Sequence, residues 1–188
     1  MLFREFLRSP TAVATITASS DALIDEMLRP FPTVADPVVV ELGAGSGRMT
    51  DAVQRRLAGR GRHIAIELNP TLAGRLAARH PDVDVICANA AALPEVLADR
   101  GVGPAHLVAS LLPWQAYESG TIPRYVADVL APGGVFTQAT LSMFLWMKPA
   151  RGIDHQVRRE FADVRMSPTV WRNLPPARVR VARSAAAA

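Results

Sequence analysis

The sequence predicts an α/β domain in which helices cover both faces of a mostly parallel sheet. Three observations favour this fold class. Five short apolar runs of β type recur along the chain, segments with helical spacing lie between them, and two closely spaced strand-like runs follow at the end. Strands without strict apolar–polar alternation, separated by helices, are typical of parallel strands buried on both faces. The expected sheet has seven strands and ends in an antiparallel hairpin.

The apolar runs define the five parallel strands. They lie at residues 38–42, 63–68, 82–88, 105–111 and 135–142. After the first run, Met49, Val53 and Leu57 follow at i, i+4 and i+8, which is the spacing of one helix face. Gly59 and Gly61 mark the C-terminal end of that helix.

The last two strand-like runs are expected to pair with each other. The segment "APGG" (131–134) is interpreted as a turn that leads into the fifth strand. Beyond that strand lie "FADVRMSPTVW" (161–171) and "ARVRVARS" (177–184), with only "RNLPP" (172–176) between them. Such a short connection suits antiparallel neighbours, because a parallel crossover takes a dozen or more residues.

Composition favours a single domain and leaves an anionic partner open. The chain has 188 residues, of which 49% are hydrophobic and 20% charged, and residues 1–188 are expected to form one domain with one core. The net charge of +4 and the pI of about 10.2 invite nucleic acid or an acidic membrane surface, although a mildly basic chain need not bind either. Cys87, the single cysteine, lies in the apolar run "VDVICA" and is expected in the core. One cysteine gives no disulfide framework, which favours a reducing cytosol.

The stretch "VVVELGAGSGRMT" (38–50) is the most specific local signal. Gly43, Gly45 and Gly47 alternate after a buried strand, which permits a tight turn and the close approach of a ligand to the backbone. The helix that begins near Gly47 directs its unpaired N–H groups into the same space. A P-loop is excluded because no Gly-Lys-Ser/Thr follows. The dinucleotide pattern G-x-G-x-x-G also fails, because Arg48 occupies its last glycine position.

Polar side chains stand where the next three strands end. Glu67, in "HIAIELNP", lies 20 positions after the last glycine of the loop, where a carboxylate can accept hydrogen bonds from both hydroxyls of a ribose. Asn89 follows the third run in "VICANAAAL". The fourth run continues as "LVASLLPWQAY" and brings Ser110, Trp114 and Tyr117 to the edge of the sheet at which open α/β folds bind ligands.

This arrangement resembles motif I of the class I S-adenosylmethionine-dependent methyltransferases, in which G-x-G-x-G follows an acidic residue. The resemblance implies a Rossmann-like fold, S-adenosylmethionine as the cofactor and a loop that holds the methionine end of that cofactor. Many family members carry an acidic residue near the adenine amino group where Asn89 stands, and an amide can pair with the same edge. The cofactor-binding residues that the resemblance implies are Glu41, Gly43, Ala44, Gly45, Gly47, Glu67, Leu68, Asn89, Ala90 and Ser110.

The two flanks of the chain resemble the ends of bacterial phospholipid N-methyltransferases. The matching segments are "FREFLRSPTAVATITASSDALIDEM" (3–27) and "WRNLPPARV" (171–179). That family converts phosphatidylethanolamine stepwise towards phosphatidylcholine, so the resemblance implies phosphatidylethanolamine and its mono- and dimethyl derivatives as acceptors. The chain has "SLLP" (110–113) where the family has Ser-Gly-Leu-Pro. This departure keeps a soluble small molecule open as an alternative acceptor.

The candidate catalytic residues are Ser110, Trp114 and Tyr117. Methyl transfer from a sulfonium is an in-line displacement, so the protein mainly aligns the nucleophile and shields the site. The aromatic faces of Trp114 and Tyr117 can hold an amine that becomes cationic, although both rings equally suit closing the core at a loop. An amine acceptor must also lose a proton, and both Glu118 and Asp154 stay open as its acceptor.

Residues 1–30 are expected to form a helical lid or a membrane contact. The apolar residues of "LFREFL" (2–7) fall on one helical face with arginines beside it, as in helices that lie in an anionic membrane interface. A second apolar element, "MFLWMKP" (143–149), is expected either to cover the substrate channel or to add a membrane contact. The sequence has no secretory signal and no apolar run of about 20 residues. A cytoplasmic protein is expected, with at most a peripheral contact at the inner face of the membrane.

Two rival functions stay open. A ribosomal RNA adenine dimethylase would explain the basic pI, but its Asn/Ser-Leu-Pro-Tyr motif is only loosely matched by "SLLPW" (110–114), so nucleic acid is not favoured as a partner. A non-catalytic protein that binds the cofactor and regulates a partner is the other rival. No metal is expected, because the histidines show no ligand spacing and no carboxylate cluster accompanies them. These histidines are His63, His80, His106 and His155.

Overall fold

The computed structural model describes residues 19–186, which are organised around a seven-stranded sheet. Its strands are β1 (Val38–Leu42), β2 (Arg62–Glu67), β3 (Asp84–Cys87), β4 (Ala105–Ser110), β5 (Leu130–Leu141), β6 (Asp163–Met166) and β7 (Ala177–Arg183). They are arranged in the order β3-β2-β1-β4-β5-β7-β6. Strands β1 to β5 are parallel, and β7 runs antiparallel to both β5 and β6. The predicted fold class, a mostly parallel sheet with an antiparallel C-terminal pair, is confirmed.

Helices cover both faces of the sheet. The described helices are α1 (Asp21–Met27), α2 (Arg48–Leu57), α3 (Pro70–Arg79), α4 (Leu93–Asp99), α5 (Thr121–Val129) and α6 (Lys148–Glu160). Successive residues of a strand point to opposite faces. Val39 accordingly packs with the buried side chains of α1 and α2, whereas Val40 packs with those of α4, α5 and α6. The continuous apolar runs of the sequence are therefore explained by burial on both sides.

Helix α2 begins directly after the glycine loop. The three residues predicted to form its inner face, Met49, Val53 and Leu57, are all buried. The chain then leaves the helix through Ala58, which has a φ of 51°. Because this helix packs under β1 and β2, its first turn stays fixed beside the carboxyl ends of those strands.

Two predicted boundaries are wrong. The segment 131–134 does not precede the fifth strand but lies inside β5, where the pairing with β4 is interrupted and Gly133 adopts a φ of 73°. Strand β6 ends at Met166, so the connection to β7 is longer than "RNLPP". Ser167 still donates from its N–H to Val179, but Pro168 follows and has no N–H with which to extend the ladder.

Cys87 is exposed, which contradicts its predicted place in the core. It ends β3, a four-residue strand at the edge of the sheet whose side chains are only partly covered. The apolar run around it suggested a central strand, whereas an edge strand has a neighbour on one side only. The prediction failed because local hydrophobicity does not reveal the position of a strand in the sheet.

Most of the predicted N-terminal segment, residues 1–18 of 1–30, lies outside the described residues. The remainder contains α1, whose Leu23, Ile24 and Met27 are buried against α2 and the sheet. Ser20 caps this helix by accepting a hydrogen bond from the Leu23 N–H. None of the helices within residues 19–186 has the length and apolar character needed to traverse a bilayer.

Candidate active site

The glycine loop joins β1 to α2 and leaves room beside one of its residues. Gly43, Gly45 and Gly47 all have positive φ values, of 79°, 54° and 82°. A Cβ on Gly47 would lie 2.0 Å from the Nη2 atom of Arg79 and 2.4 Å from the side chain of Leu76, so packing against α3 requires this glycine. A Cβ on Gly45 would meet nothing nearer than a backbone oxygen at 4.0 Å. The open space at Gly45 gives a ligand access to the main chain.

Glu67 fixes the loop against the end of β2. Its side chain is buried and accepts a hydrogen bond of 2.8 Å from the Gly45 N–H and another of 2.8 Å from the Asn69 N–H. A carboxylate has about four acceptor positions, so two positions stay available for a ligand. The structure therefore brings two of the predicted cofactor-binding residues, Gly45 and Glu67, into direct contact.

Glu41 lies beneath the loop and is fully buried. Its Oε2 atom accepts a hydrogen bond of 2.7 Å from the Thr50 hydroxyl, in the first turn of α2, and lies 3.4 Å from the His63 Nε2 atom. Its Oε1 atom has no hydrogen-bond partner within the described residues. Sequence reasoning missed Thr50, which donates to this carboxylate, and His63, which lies beside it, because the G-x-G-x-G pattern specifies neither position.

The other predicted cofactor residues line the carboxyl ends of β2 and β3. Leu68 is 67% exposed, which is unusual for a large apolar side chain next to a buried strand. Asn89 is exposed and caps a short 3₁₀ turn that begins at Ala90; its side-chain oxygen accepts a hydrogen bond of 2.9 Å from the Ala91 N–H. Ala90 in this turn and Ala44 in the glycine loop are buried. The edge thus offers an apolar surface beside a polar amide.

Ser110 and Tyr117 form a buried pair at the end of β4. Their oxygen atoms are 2.6 Å apart, and Ser110 Oγ also accepts a hydrogen bond from the Leu112 N–H. Burial raises the pKa of Tyr117 well above its ordinary value, and the hydrogen bond with Ser110 and the charge of Arg180 offset only part of this effect. Tyr117 is therefore a neutral phenol, and its ring packs in the core cluster of α4, α5 and α6.

Trp114 opens the short 3₁₀ turn that carries Tyr117 and is 37% exposed. It is thus the more accessible of the two predicted aromatic residues. Leu111, at the position where the phospholipid methyltransferases have glycine, packs against the core cluster of α1 and α2. Leu112 packs on the opposite cluster and lies close to Gly43 of the glycine loop.

A buried cation near this pair was not predicted. Ser110 pairs with Gln138 of β5, which in turn pairs with Arg180 of β7, so the three residues form one row across the sheet. Arg180 is 1% exposed and donates through Nη1 to Gln138 and through Nε to Asp154, the latter at 3.2 Å. The signal was an arginine in the middle of the apolar strand "ARVRVARS", in a sheet expected to be covered on both faces.

Asp154 of α6 is a poor candidate for a proton acceptor. Burial alone would raise its pKa, but the hydrogen bonds and charges of Arg158 and Arg180 outweigh this effect and hold the pKa below its usual range. A carboxylate in this state is a weak base. Its contacts indicate that Asp154 neutralises the buried Arg180. Glu118, the other candidate, is exposed after the turn of Trp114.

Across residues 19–186, no group of three or more His, Cys, Asp or Glu side chains is placed to hold a metal ion. His63 contacts Glu41, and His80 lies 2.9 Å from Asp51. His106 accepts a hydrogen bond from the Val38 N–H at the amino end of the sheet. Three of the four histidines therefore have structural partners in separate parts of the fold.

Solved structures share the fold, and a known protein is related to the chain in sequence. No family model matches the chain. The chain is 32% identical over 179 residues to the ornithine lipid N-methyltransferase of Singulisphaera acidiphila. The aligned region covers 92% of this chain and 89% of that protein. Among solved structures, an O-methyltransferase from Bacillus cereus in complex with SAH has a TM-score of 0.68 at 13% identity, covering 96% of this chain and 90% of its own. The precorrin-6y C5,15-methyltransferase of Geobacter metallireducens has a TM-score of 0.66 at 16% identity, covering 90% and 94%.

The sheet order, the glycine loop and these two structures define the fold as that of the class I S-adenosylmethionine-dependent methyltransferases. The predicted fold is thereby confirmed, and the predicted enzyme class with S-adenosylmethionine as its cofactor is supported by the related sequence as well as by the fold. More particularly, the chain belongs to the family of the ornithine lipid N-methyltransferase, since the identity extends over nearly the whole of both proteins.

Proposed function

We propose that this protein transfers methyl groups from S-adenosylmethionine to the amine of a membrane-lipid headgroup. The observation that carries the proposal is the identity of 32%, over 92% of the chain, to a protein named as a lipid N-methyltransferase. The acceptors that we favour are phosphatidylethanolamine and its mono- and dimethyl derivatives, because both flanks of the chain resemble phospholipid N-methyltransferases. An ornithine-containing lipid shares the relevant chemistry, an amine nitrogen on a lipid, and is a separate arm of the test.

The described residues fit the cofactor at three points. The open main chain at Gly45 suits the methionine end, and the free acceptor positions of Glu67 suit the two ribose hydroxyls. The exposed Leu68 and the amide of Asn89 suit the face and the edge of adenine. Glu41 supports the loop from below through Thr50. When bound, S-adenosylmethionine supplies an electrophilic methyl group on a sulfonium sulfur.

The acceptor end of the site is built around the carboxyl end of β4. In our proposal the exposed ring of Trp114 receives the amine headgroup, because an aromatic face attracts an amine that becomes cationic. Tyr117 contributes through its hydroxyl, which orients Ser110, rather than through its buried ring. The amine must be neutral to act as a nucleophile. Glu118 is our remaining candidate for its proton acceptor.

Two further contacts concern the segments that resemble phospholipid methyltransferases. Leu111 packs on the core cluster of α1 and α2, so the departure from Ser-Gly-Leu-Pro is absorbed by the core. The two flanks that resemble phospholipid methyltransferases also touch each other. The Ser20 N–H donates a hydrogen bond of 2.9 Å to the side chain of Asn173, which itself donates to the Pro175 carbonyl. The two flanking segments, which are far apart in sequence, are therefore in contact in the fold.

The test is methyl transfer by the purified protein with methyl-labelled S-adenosylmethionine. Four acceptors are compared: phosphatidylethanolamine in detergent micelles, an ornithine-containing lipid in the same micelles, a soluble metabolite extract and ribosomal RNA. We expect label in the phosphatidylethanolamine fraction, with mono- and dimethyl products in sequence. The variant Gly45→Val is the control for cofactor-dependent labelling.

Each outcome separates one reading from the others. Label confined to the ornithine-containing lipid would overturn the phospholipid assignment and retain lipid N-methylation. Label confined to the soluble extract or to RNA would overturn the lipid proposal itself. No label in any arm, despite measurable binding of S-adenosylmethionine, would favour the non-catalytic alternative.

A further inference from the structure

We propose that two loops at one end of the sheet form a docking surface for an anionic lipid bilayer. The first loop, residues 142–153, follows β5 and includes the amino-terminal part of α6 from residue 148 onward; the second, residues 167–178, ends with the first two residues of β7. Together we name them the two-loop surface. The inference deepens the proposed function and rests on it, because an enzyme that methylates a membrane lipid must meet that lipid at a bilayer.

The two loops are held side by side by the β5–β7 pair. Leu141, the last residue of β5, pairs with Ala177, the first residue of β7, and Ala177 also bridges to Val170 in the second loop. The Ser142 N–H donates a hydrogen bond of 2.8 Å to the Pro176 carbonyl. The two loops therefore start from adjacent positions at the same end of the β5–β7 pair.

This surface concentrates the exposed apolar side chains of the described residues. Trp146 is 73% exposed, Trp171 is 78% exposed and Leu174 is 82% exposed. Met143 and Met147, in the first loop, are also exposed. Five of the eight large hydrophobic residues that are exposed between residues 19 and 186 thus belong to these two loops. Tryptophan is enriched at membrane–water interfaces, where its ring lies at headgroup level.

The positive charge of the two loops favours a bilayer with anionic lipids. They contain Lys148, Arg151, Arg172 and Arg178 and no aspartate or glutamate, whereas the whole chain has 21 basic and 17 acidic residues. The first three of these cations are exposed. Basic residues beside apolar side chains that insert into an interface are attracted to anionic headgroups. Charge complementarity therefore favours an anionic membrane over a neutral one.

The surface also lies on the correct side of the fold. It extends from the carboxyl end of β5, and the glycine loop and Ser110 lie at the carboxyl ends of the parallel neighbours β1 and β4. Ligands of open α/β sheets bind at this edge. A bilayer on the two-loop surface would present its headgroups on the side of the molecule where the acceptor enters.

The test uses the full chain and vesicles of stated composition. Co-sedimentation is measured with phosphatidylcholine vesicles and with vesicles containing about one third phosphatidylglycerol. We expect binding to the anionic vesicles, and we expect Trp146→Ala/Trp171→Ala/Leu174→Ala to weaken it about tenfold or more. Val34→Ala, which truncates an exposed apolar side chain outside both loops, is the matched control and should bind like the parent.

Charge reversal tests the second half of the inference. Arg151→Glu/Arg172→Glu should reduce binding to the anionic vesicles and leave binding to neutral vesicles unchanged. The control Arg62→Glu/Arg75→Glu changes the net charge by the same amount at exposed positions on β2 and α3, away from β7. An equal loss in both pairs would overturn the proposal, because it would mean that net charge rather than this surface attracts the vesicles.

Intrinsic fluorescence gives a local readout. The chain has three tryptophans, so Trp114→Phe/Trp146→Phe leaves Trp171 alone as the reporter. Its emission should shift to shorter wavelength on anionic vesicles and be protected from an aqueous quencher. If the emission is unchanged, or if the parent forms a concentration-dependent dimer that protects Trp171 without lipid, the surface is not a membrane-docking site.

The docking inference and the proposed function fail in distinguishable ways. If the triple alanine variant methylates phosphatidylethanolamine in detergent micelles like the parent but loses activity on vesicles, both stand. If the parent binds vesicles through these loops yet labels no lipid in either form, the function fails and the docking surface survives. Vesicle activity that is equal in parent and triple variant would overturn the docking inference alone.

Discussion

Replacement of Glu67 is the sharpest test of the cofactor site. In the structure this carboxylate accepts two N–H groups, from Gly45 and Asn69, and retains two acceptor positions, which we propose for the ribose hydroxyls. Glu67→Ala removes all of these interactions. Hydrogen bonds to a charged acceptor contribute about 1–3 kcal/mol in total at such a site, so the affinity for the cofactor should fall several-fold to about a hundredfold.

The variant also loses support for the loop, and the assay must separate this effect from lost ribose contacts. Isothermal titration with S-adenosylhomocysteine gives the affinity, and urea unfolding without ligand gives the stability. Glu67→Gln is the companion variant, because its amide oxygen can still accept one backbone N–H while its NH₂ group faces the other. Asp84→Asn is the matched control, since it neutralises a carboxylate at the amino end of β3 that pairs with Arg100.

We expect a weaker affinity in both Glu67 variants and an unchanged affinity in Asp84→Asn. A loss of stability without any loss of affinity would show that Glu67 only holds the loop. If Glu67→Ala and Gly45→Val both bind S-adenosylhomocysteine within twofold of the parent, the cofactor pocket lies elsewhere and this assignment is wrong.

Three further predictions concern the loop and the buried pair beyond it. Gly45→Val should abolish binding of S-adenosylhomocysteine in titration and should cost about 1–3 kcal/mol of stability, because valine is strained at a positive φ. Gly47→Ala should lower the urea midpoint more than Gly45→Val, because a Cβ at residue 47 has no room. Equal urea midpoints in the two variants would contradict this difference in packing. Tyr117→Phe should cost about 1–2 kcal/mol. The pKa of Tyr117 is raised in the folded state, so its phenol ionises more readily in the unfolded chain, and the parent should lose stability as the pH rises above about 10. Tyr117→Phe lacks this phenol, so an equally steep fall of its melting temperature with pH would contradict the assignment to Tyr117. Arg180→Met should cost about 3–5 kcal/mol in urea unfolding, because it leaves buried polar partners uncompensated; a loss below about 1 kcal/mol would mean that the cation is dispensable.

The geometry of the proposed cofactor site was predictable because it depends on local chemistry. A buried strand, three glycines and a helix follow each other without interruption in "VVVELGAGSGRMT", and each imposes its own geometry. Glu67 was predictable for a similar reason, since the carboxyl ends of parallel strands meet at one edge of the sheet. The hydrogen bond between the Gly45 N–H and Glu67 follows because the carboxyl ends of β1 and β2 are adjacent. Strand order and the parallel direction then placed Asn89 one strand further along.

Boundaries and edges were less predictable, because they depend on neighbours rather than on the segment itself. The glycines of "APGG" indicate a turn, yet the pairing of β5 on both sides of them absorbs the irregularity within one strand. Cys87 lies in a run as apolar as those of the central strands, and only the sheet order reveals that β3 is at the edge. The residues of a segment indicate that it forms a strand, whereas the position of that strand in the sheet determines whether its side chains are buried.

The proposed acceptor side of the site could not be predicted from the sequence, for a different reason: its residues contact one another across strands that are distant in sequence. Tyr117 looked like an aromatic face for an amine, but burial of its ring directs its hydroxyl to Ser110 instead. Ser110 then stands in the same row as Gln138 and Arg180, which come from strands distant in sequence. A buried guanidinium retains its charge because Asp154 is beside it, and that pairing also removes Asp154 as an effective base. The contact between Arg180 and Asp154 thus keeps the guanidinium charged and makes Asp154 a weak base. If the acceptor is an amine, as we propose, Glu118 on the exposed side of the site is the remaining candidate for its base.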